Sequence, residues 1–238
     1  IGRLLKHYPP TKIAIIDGWD RPIIDQALAS KAQYFKRELC VAYEQTAKPI
    51  SFSLPKEKIK ELSFTREHDF APLVPAYGHF DDPHHKTYIY DTEKDYYDMY
   101  AESFFAYTCK KGREDDKTEG WDCMRHYEIL ACGSVPFFTD IEQCSRLALT
   151  KFPKELCVQA KKIKGVYPGT KFPYNPGVDT FIGTSRQIEA GDDRGYINHE
   201  ELDIHEYDHF REEFREYTVK NLTTESMAKY LLEEMKRC

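Results

Sequence analysis

The stretch GWDCMRHYEILACGSVPFF, residues Gly120–Phe138, carries the fold prediction. Its first part predicts a helix over residues 121–132, which Gly133 ends because glycine readily adopts the backbone that terminates helices. The apolar run 135–138 then predicts a short buried strand. A helix that leads directly into a buried strand is typical of a parallel α/β sheet.

The same alternation of strands and helices extends outward from this stretch in both directions. The apolar patterns predict strands over residues 12–17, 34–39, 49–54, 87–92, 104–109 and 135–138. Helices are predicted within residues 21–35 and over residues 55–62, 93–103, 121–132, 152–163, 204–220 and 224–237. Residues 69–86 are predicted to form a loop. This order predicts an α/β fold with a mainly parallel, Rossmann-like sheet, whose ligands bind beyond the carboxyl ends of the strands.

The composition limits the classes of partner. The chain has 238 residues with 41% hydrophobic content, enough for one large domain or two small lobes. Its net charge of -6 argues against a nucleic-acid partner. No run approaches the roughly 20 apolar residues of a membrane span. Seven cysteines without a C-x-x-C pair predict free thiols in a reducing compartment, hence a cytoplasmic location. The first residue is Ile1, which fits a domain cut from a longer chain.

Polar residues of the predicted helix form a candidate binding face. Asp122, Arg125 and Glu128 are three residues apart and therefore lie near one another on the helix surface. The helix N-terminus favours an anion, Arg125 fits a diphosphate, and Glu128 can accept hydrogen bonds from sugar or ribose hydroxyls. Lys110 and Lys111 precede the helix and could close over the same phosphates. The alternative is a salt-bridge ladder on a solvated helix face.

This region also resembles a known enzyme family. The segments SFFAYT and GWDCMRHYEILACGSVPFF are similar to the donor-binding half of GT-B glycosyltransferases, of the exostosin-like type and closest to glycosyltransferase domains encoded by large algal (chlorella) viruses. The resemblance covers about residues 34–163 and is sharp between 103 and 138. The matching residues are Ser103, Phe104, Arg125, Glu128, Leu130, Gly133, Val135 and Pro136.

The resemblance implies a nucleotide-sugar donor, with a UDP-sugar favoured, and a growing glycan as acceptor. A deoxyhexose such as rhamnose is the sugar that the viral resemblance suggests. It implies that Glu128 holds the ribose or donor sugar and that basic residues near Lys110 and Arg125 hold the diphosphate; Thr108 and Trp121 complete the predicted donor site.

The chain is short for a two-lobed enzyme of this family. Residues 1–32 are therefore expected to be a remnant of the acceptor-side lobe, and residues 33–238 the donor-binding domain. Other domains of the same polypeptide are expected partners, and a viral protein of this kind would lie in the host cytoplasm.

Sugar transfer by inversion needs a general base. Asp17 and Asp20 lie at the end of the first predicted strand, and Asp122 and His126 lie on the donor side, so these four are the candidates. Asp17 could equally be a turn acid, and His126 a satisfied structural histidine. The acids of IIDGWD could instead bind a metal and a diphosphate, as the Asp-x-Asp motif of GT-A enzymes does. No cofactor is expected to be required for the transfer. A divalent ion such as Mn²⁺ or Mg²⁺ is the alternative that the IIDGWD acids suggest.

Two acid-histidine clusters support functions of other classes. The segments HFDDPHH and NHEELDIHEYDH contain six candidate ligands, which are Asp82, His84, His85, His199, His205 and His209. A metal-dependent phosphoester hydrolase is therefore one alternative. A non-catalytic carbohydrate-binding or docking module of a multidomain protein is another.

Overall fold

The structure is a computed structural model, and it describes residues 2–62, 65–71, 92–110, 120–138, 141–167 and 196–237. The strands in these ranges are β1 Ala14–Asp17, β2 Gln33–Lys36, β3 Lys48–Pro49, β4 His68–Ala71, β5 Ser103–Thr108, β6 Val135–Phe138, β7 Val166–Tyr167 and β8 Tyr196–Ile197. The α-helices are α1 Gln26–Ala29, α2 Glu93–Ala101, α3 Met124–Ala131, α4 Lys154–Ala160, α5 Ile204–Asn221 and α6 Thr224–Lys236.

Parallel strand pairing confirms the α/β class, but the described strands form two main sheets rather than one. The first sheet has the order β1-β2-β3 and the second has the order β4-β5-β6, and every pair within them is parallel. A separate antiparallel pair joins β7 to β8. The architecture is compatible with a Rossmann-like arrangement.

The second sheet buries large aromatic side chains on one face and small ones on the other. Phe105 lies on the face covered by α5, with its ring centroid 5.4 Å from that of Tyr207. Ala71 and Ala106 lie on the opposite face, among buried residues of α2 and α3 that include Ile129. The small alanine side chains allow these two helices to approach the sheet closely.

The first sheet is covered by the last helix of the chain. Phe35 packs with Met227 of α6, and the Tyr230 hydroxyl donates a hydrogen bond to the Pro49 carbonyl at 2.8 Å. The chain reaches α6 beside Leu54, whose N–H donates to the Leu222 carbonyl at 3.0 Å. The short segment between α5 and α6 therefore connects the second sheet, on which α5 packs, to the first sheet, which α6 covers.

The predicted division of the chain at residues 32 and 33 falls inside the first sheet. β1 and β2 lie on either side of it and pair in parallel, with Ile16 opposite Phe35. The assignment of residues 1–32 to a separate lobe stays a prediction, but the sheet itself spans that point.

Several predicted elements are shorter in the structure. β2 ends at Lys36 rather than at residue 39, because Glu38 has a φ of 60° and turns the chain away from the sheet. The predicted strand 49–54 leaves the sheet after Pro49. Residues 121–123 precede α3 instead of belonging to it, since the N-cap Cys123 has an extended backbone.

Two predicted helices are reduced to single turns, and one predicted loop contains a strand. The segment after Pro22 forms only α1, and the predicted helix 55–62 contains the 3₁₀ turn Lys56–Lys58. β4 occupies the start of the predicted loop 69–86. The rest of that loop and nearly all of the predicted strand 87–92 lie outside the described residues. Among the described helices, none combines the length and the apolar character that a bilayer crossing requires.

Candidate functional site

The carboxyl edges of the two parallel sheets meet at one junction. Gly18 follows β1, and Arg37 and Glu38 follow β2, so all three lie at the carboxyl edge of the first sheet. Arg37 and Glu38 contact Asp122, which leads into α3 and lies at the carboxyl edge of the second sheet, because α3 follows β5. Ligands of parallel α/β proteins bind at such edges.

Arg37 links the two edges with its guanidinium group. Nη2 and Nε donate to the Gly18 carbonyl at 2.7 and 3.0 Å, and Nη2 also pairs with the Asp20 carboxylate. Nη1 donates to the Asp122 carbonyl across the junction. The guanidinium carbon lies 4.3 Å from the ring centroid of Phe52. Arg37 is only 5% exposed, so these contacts satisfy a buried charge.

A buried acid and a glycine close the junction beside this arginine. The Glu38 carboxylate accepts a hydrogen bond from the backbone N–H of Asp122. A Cβ at Gly120 would lie 3.3 Å from Glu38 Oε1 and 3.4 Å from the Asp20 Cβ, so a larger residue there requires one of these side chains to shift. Burial raises the pKa of Glu38 above its ordinary value, although hydrogen bonds to its carboxylate oppose the shift.

Asp122 is a buried carboxyl that joins three segments. Its Oδ2 accepts from the Phe52 N–H at 2.8 Å and its Oδ1 from the Tyr127 hydroxyl at 2.6 Å. Only 1% of the residue is exposed. Burial raises the pKa of Asp122 to about 7, because the protein interior disfavours the ionised form. Asp122 therefore exchanges its proton near neutral pH while it holds the two edges together.

Thr108, Arg125 and His126 form a continuous hydrogen-bonded chain behind the junction. The His126 Nε2–H donates to the Trp121 carbonyl at 2.8 Å, so Nδ1 accepts from the Thr108 hydroxyl at 2.7 Å. Thr108 in turn accepts from Arg125 Nε at 3.1 Å, and Arg125 Nη2 donates to the Cys109 carbonyl at 3.3 Å. The chain fixes the backbone of Trp121 relative to the end of β5.

His126 is neutral in this arrangement. Its side chain is fully buried, and this burial, together with the adjacent Arg125 charge, lowers its pKa to about 3. Both ring nitrogens are engaged. The predicted role as general base stays a prediction, and the geometry favours a structural role for this residue.

Asp17 is held by three donors in or directly after the strands of the first sheet. Its carboxylate accepts from the Tyr34 hydroxyl at 2.6 Å and from the Trp19 N–H at 2.9 Å, and it pairs with Lys36 Nζ at 3.1 Å. Burial alone would raise the pKa of Asp17, but these hydrogen bonds and the ammonium outweigh it and lower the pKa. Asp17 is therefore ionised and well satisfied, as expected of a turn acid.

Glu128 faces α2 rather than the junction. Its carboxylate accepts from the Tyr96 hydroxyl at 2.7 Å and from the Tyr97 hydroxyl at 3.4 Å. Within the described residues no ion pair joins Asp122, Arg125 and Glu128 to one another, so the salt-bridge ladder is not what these residues form. Asp122 and Arg125 are buried and face the two sheets, which contradicts the expected solvated helix face.

Lys110 is a partly exposed cation beside the junction. Its ammonium lies 5.8 Å from the ring centroid of Trp121, which is itself 8% exposed. The α3 helix begins without a side-chain cap, a feature that favours an anion at its N-terminus. Lys111 lies outside the described residues.

The junction thus gathers most, but not all, of the predicted site residues. Asp20, Thr108, Trp121, Asp122, Arg125 and His126 lie in or directly behind it, whereas Glu128 lies on another side of α3. Sequence reasoning does not find Arg37 and Glu38, because YFKREL predicts a single strand. The feature of the sequence that could have indicated them is the run of three consecutive charged residues at the end of an apolar stretch.

Among the residues predicted to bind a metal, those that the structure describes do not converge. Asp17 pairs with Lys36 and Asp20 with Arg37, so each carboxylate has a separate cation and a shared metal is disfavoured. His199 pairs with Asp69 at 2.6 Å. Asp82, His84 and His85 lie outside the described residues, and His205 and His209 are exposed on α5. Comparisons with protein-family models, with curated proteins and with solved structures found no match for this chain.

Proposed function

We propose that this chain is a glycosyltransferase domain that moves a sugar from a nucleotide-diphosphate sugar, with a UDP-sugar favoured, to a growing glycan. The observation that carries the proposal is the meeting of two parallel sheets at their carboxyl edges, with charged residues from both. Such an edge suits a donor that presents a diphosphate to one side and a sugar to the other. The resemblance of residues 103–138 to the donor-binding half of GT-B enzymes points to the same edge.

The diphosphate is assigned to the region of Lys110 and the N-terminus of α3. Lys110 is partly exposed and lies over Trp121, so its ammonium can reach a ligand without breaking the buried network. Arg125 is only 5% exposed and bonded to Thr108, so its role is to hold the positive end of the site in place. The uncapped N–H groups of α3 add a favourable dipole.

Among the four predicted bases, Asp20 fits the role best. Its side chain is 22% exposed, and it lies at the junction beside Gly120. Asp122 and His126 are buried, and Asp17 is held by three donors. Arg37 pairs with the Asp20 carboxylate and orients it, so that it can accept the proton of an acceptor hydroxyl.

Calorimetric titration of the whole chain with UDP, GDP and their sugars, with and without Mn²⁺, tests donor binding. We expect one nucleotide to bind, and Lys110→Ala to weaken it about tenfold, since one charge-assisted contact contributes about 1.5 kcal/mol. Lys94→Ala is the matched control, because Lys94 is an exposed lysine on α2 that pairs with Asp98. Equal loss in both variants, or no nucleotide binding by the unchanged chain, would overturn the assignment.

A second measurement separates transfer from binding. Asp20→Asn should abolish sugar transfer and leave nucleotide affinity within about twofold, because the carboxylate acts on the acceptor. Asp98→Asn is the control, since Asp98 is also an ion-paired and partly exposed aspartate but lies on α2. Full transfer activity in Asp20→Asn would remove this residue from the mechanism. Nucleotide binding without donor hydrolysis or transfer would favour a non-catalytic docking module.

A further inference from the structure

Three side chains with metal-ligating atoms converge at the amino edge of the second sheet. Glu67 and His68 lie at the start of β4, and Glu102 lies between α2 and β5. One ligand atom from each residue lies within 4.8 Å of the other two. This edge is opposite the junction, so the cluster is separate from the proposed donor site.

Backbone hydrogen bonds hold the three residues in position. The N–H groups of Glu67 and His68 both donate to the Glu102 carbonyl, at 2.8 and 3.2 Å. His68 is also the register partner of Ser103 in the parallel pair of β4 and β5. His68 therefore lies on a paired strand, which positions a ligand more accurately than a loop does, and Glu67 and Glu102 directly precede the two paired strands.

The protein itself provides no partner for these groups in the part of the chain that the structure describes. No hydrogen bond or ion pair there engages the side chains of Glu67, His68 or Glu102, and His68 Nδ1 is buried without a hydrogen-bond partner. The nearby Arg66 donates instead to the carbonyls of Ala101 and Gly133. Two carboxylates held close together repel each other unless a cation lies between them.

We propose that Glu67, His68 and Glu102 bind a divalent first-row transition-metal ion, with Zn²⁺ the best match. The imidazole nitrogen favours Zn²⁺ over Mg²⁺ or Ca²⁺, which prefer oxygen ligands alone. One nitrogen and two carboxylates leave room for a water molecule as a fourth ligand. The ion would fasten the start of β4 to the turn between α2 and β5, and this role does not depend on the proposed glycosyl transfer.

Metal titration of the EDTA-treated whole chain tests the site. We expect one Zn²⁺ per chain by calorimetry, and a Co²⁺ spectrum without the thiolate band that cysteine ligands would produce. His68→Gln and Glu102→Gln should each weaken Zn²⁺ binding by about tenfold or more. His205→Gln is the matched control, because His205 is an exposed histidine on α5 away from the cluster.

Thermal unfolding of each metal-free variant shows whether it is folded, and added Zn²⁺ should raise the unfolding temperature of the unchanged chain but not that of His68→Gln. Absence of Zn²⁺ binding by the unchanged chain would overturn the proposal. So would a thiolate band for the bound Co²⁺, or an affinity that neither His68→Gln nor Glu102→Gln changes.

Discussion

The buried carboxyl of Asp122 makes the stability of the protein depend on pH in a definite direction. Its pKa is about 7 in the folded chain, against 3.8 for an ordinary aspartate, because it is buried between the two sheet edges. The folded state therefore keeps the proton to a higher pH than the unfolded state does. The stabilisation is complete below the unfolded pKa and is lost as pH rises towards 7.

The magnitude follows from the difference between the two pKa values. One pKa unit corresponds to about 1.4 kcal/mol, so this group should lower the free energy of unfolding by about 2.5 kcal/mol between pH 5 and pH 8. Glu38, whose pKa is also raised by burial, acts in the same direction. His126 acts in the opposite direction, because burial lowers its pKa to about 3.

Asp122→Asn isolates the contribution of this one group. The asparagine oxygen can accept from the Phe52 N–H, and its amide can donate to the Tyr127 hydroxyl oxygen. The Tyr127 hydroxyl can then donate to Ser51, whose Oγ is buried and has no other partner. The variant should therefore fold and lose the titration.

Urea unfolding of both proteins at several pH values between 5 and 8 measures the effect. The difference in unfolding free energy between the variant and the unchanged chain should shift by about 2.5 kcal/mol across this range, in favour of the variant at high pH. Contributions from groups that do not interact with Asp122 cancel in that difference. A difference that stays constant within about 0.5 kcal/mol would show that the Asp122 carboxyl titrates as an ordinary aspartate and would refute the reasoning.

Three further substitutions test the geometry at the junction and around Asp17, two of them by urea unfolding and the third by NMR titration. Gly120→Ala should destabilise the fold by about 1–3 kcal/mol through overpacking, whereas Gly18→Ala, which meets no atom within 4 Å, should change stability by less than about 1 kcal/mol; equal effects would contradict the close approach. Thr108→Val should cost about 1–3 kcal/mol at pH 7, since it leaves a buried guanidinium and imidazole without their shared partner; a neutral result would mean that this link is not formed. Tyr34→Phe should raise the pKa of Asp17, measured by NMR titration, because it removes a hydrogen bond to the ionised carboxylate; an unchanged pKa would exclude that bond.

The sequence predicted the elements whose patterns are local. The apolar runs of β1, β5 and β6 and the periodic segments of α2, α5 and α6 appear close to their expected positions, because burial of one face dictates each pattern. Boundaries set by a single residue were missed. The end of β2 depends on the left-handed backbone of Glu38, and no local pattern in YFKREL indicates that conformation.

The candidate site was only partly predictable for a related reason. The spacing of Asp122, Arg125 and Glu128 describes one helix face, but α3 is packed between neighbours on several sides and Asp122 precedes it. Which side of the helix faces solvent depends on the sheets around it. That arrangement is long-range, and a periodicity of three or four residues contains no information about it.

The charged residues at the junction have a consequence for any ligand that binds there. Arg37 is hydrogen-bonded to Gly18, Asp20 and the Asp122 carbonyl at once. If the two sheet edges separated, the buried guanidinium and its partners would lose these hydrogen bonds. Breaking such a buried network costs free energy. The two acids that pair with the guanidinium neutralise its charge and so keep the geometry fixed. For the proposed glycosyl transfer, such a rigid edge would position a diphosphate and an acceptor hydroxyl relative to each other without a further loss of conformational freedom on binding. Asp122 and His126, two of the four catalytic candidates from the sequence, thus hold the edges in place, whereas Asp20 and Lys110 lie at their rim and are more exposed.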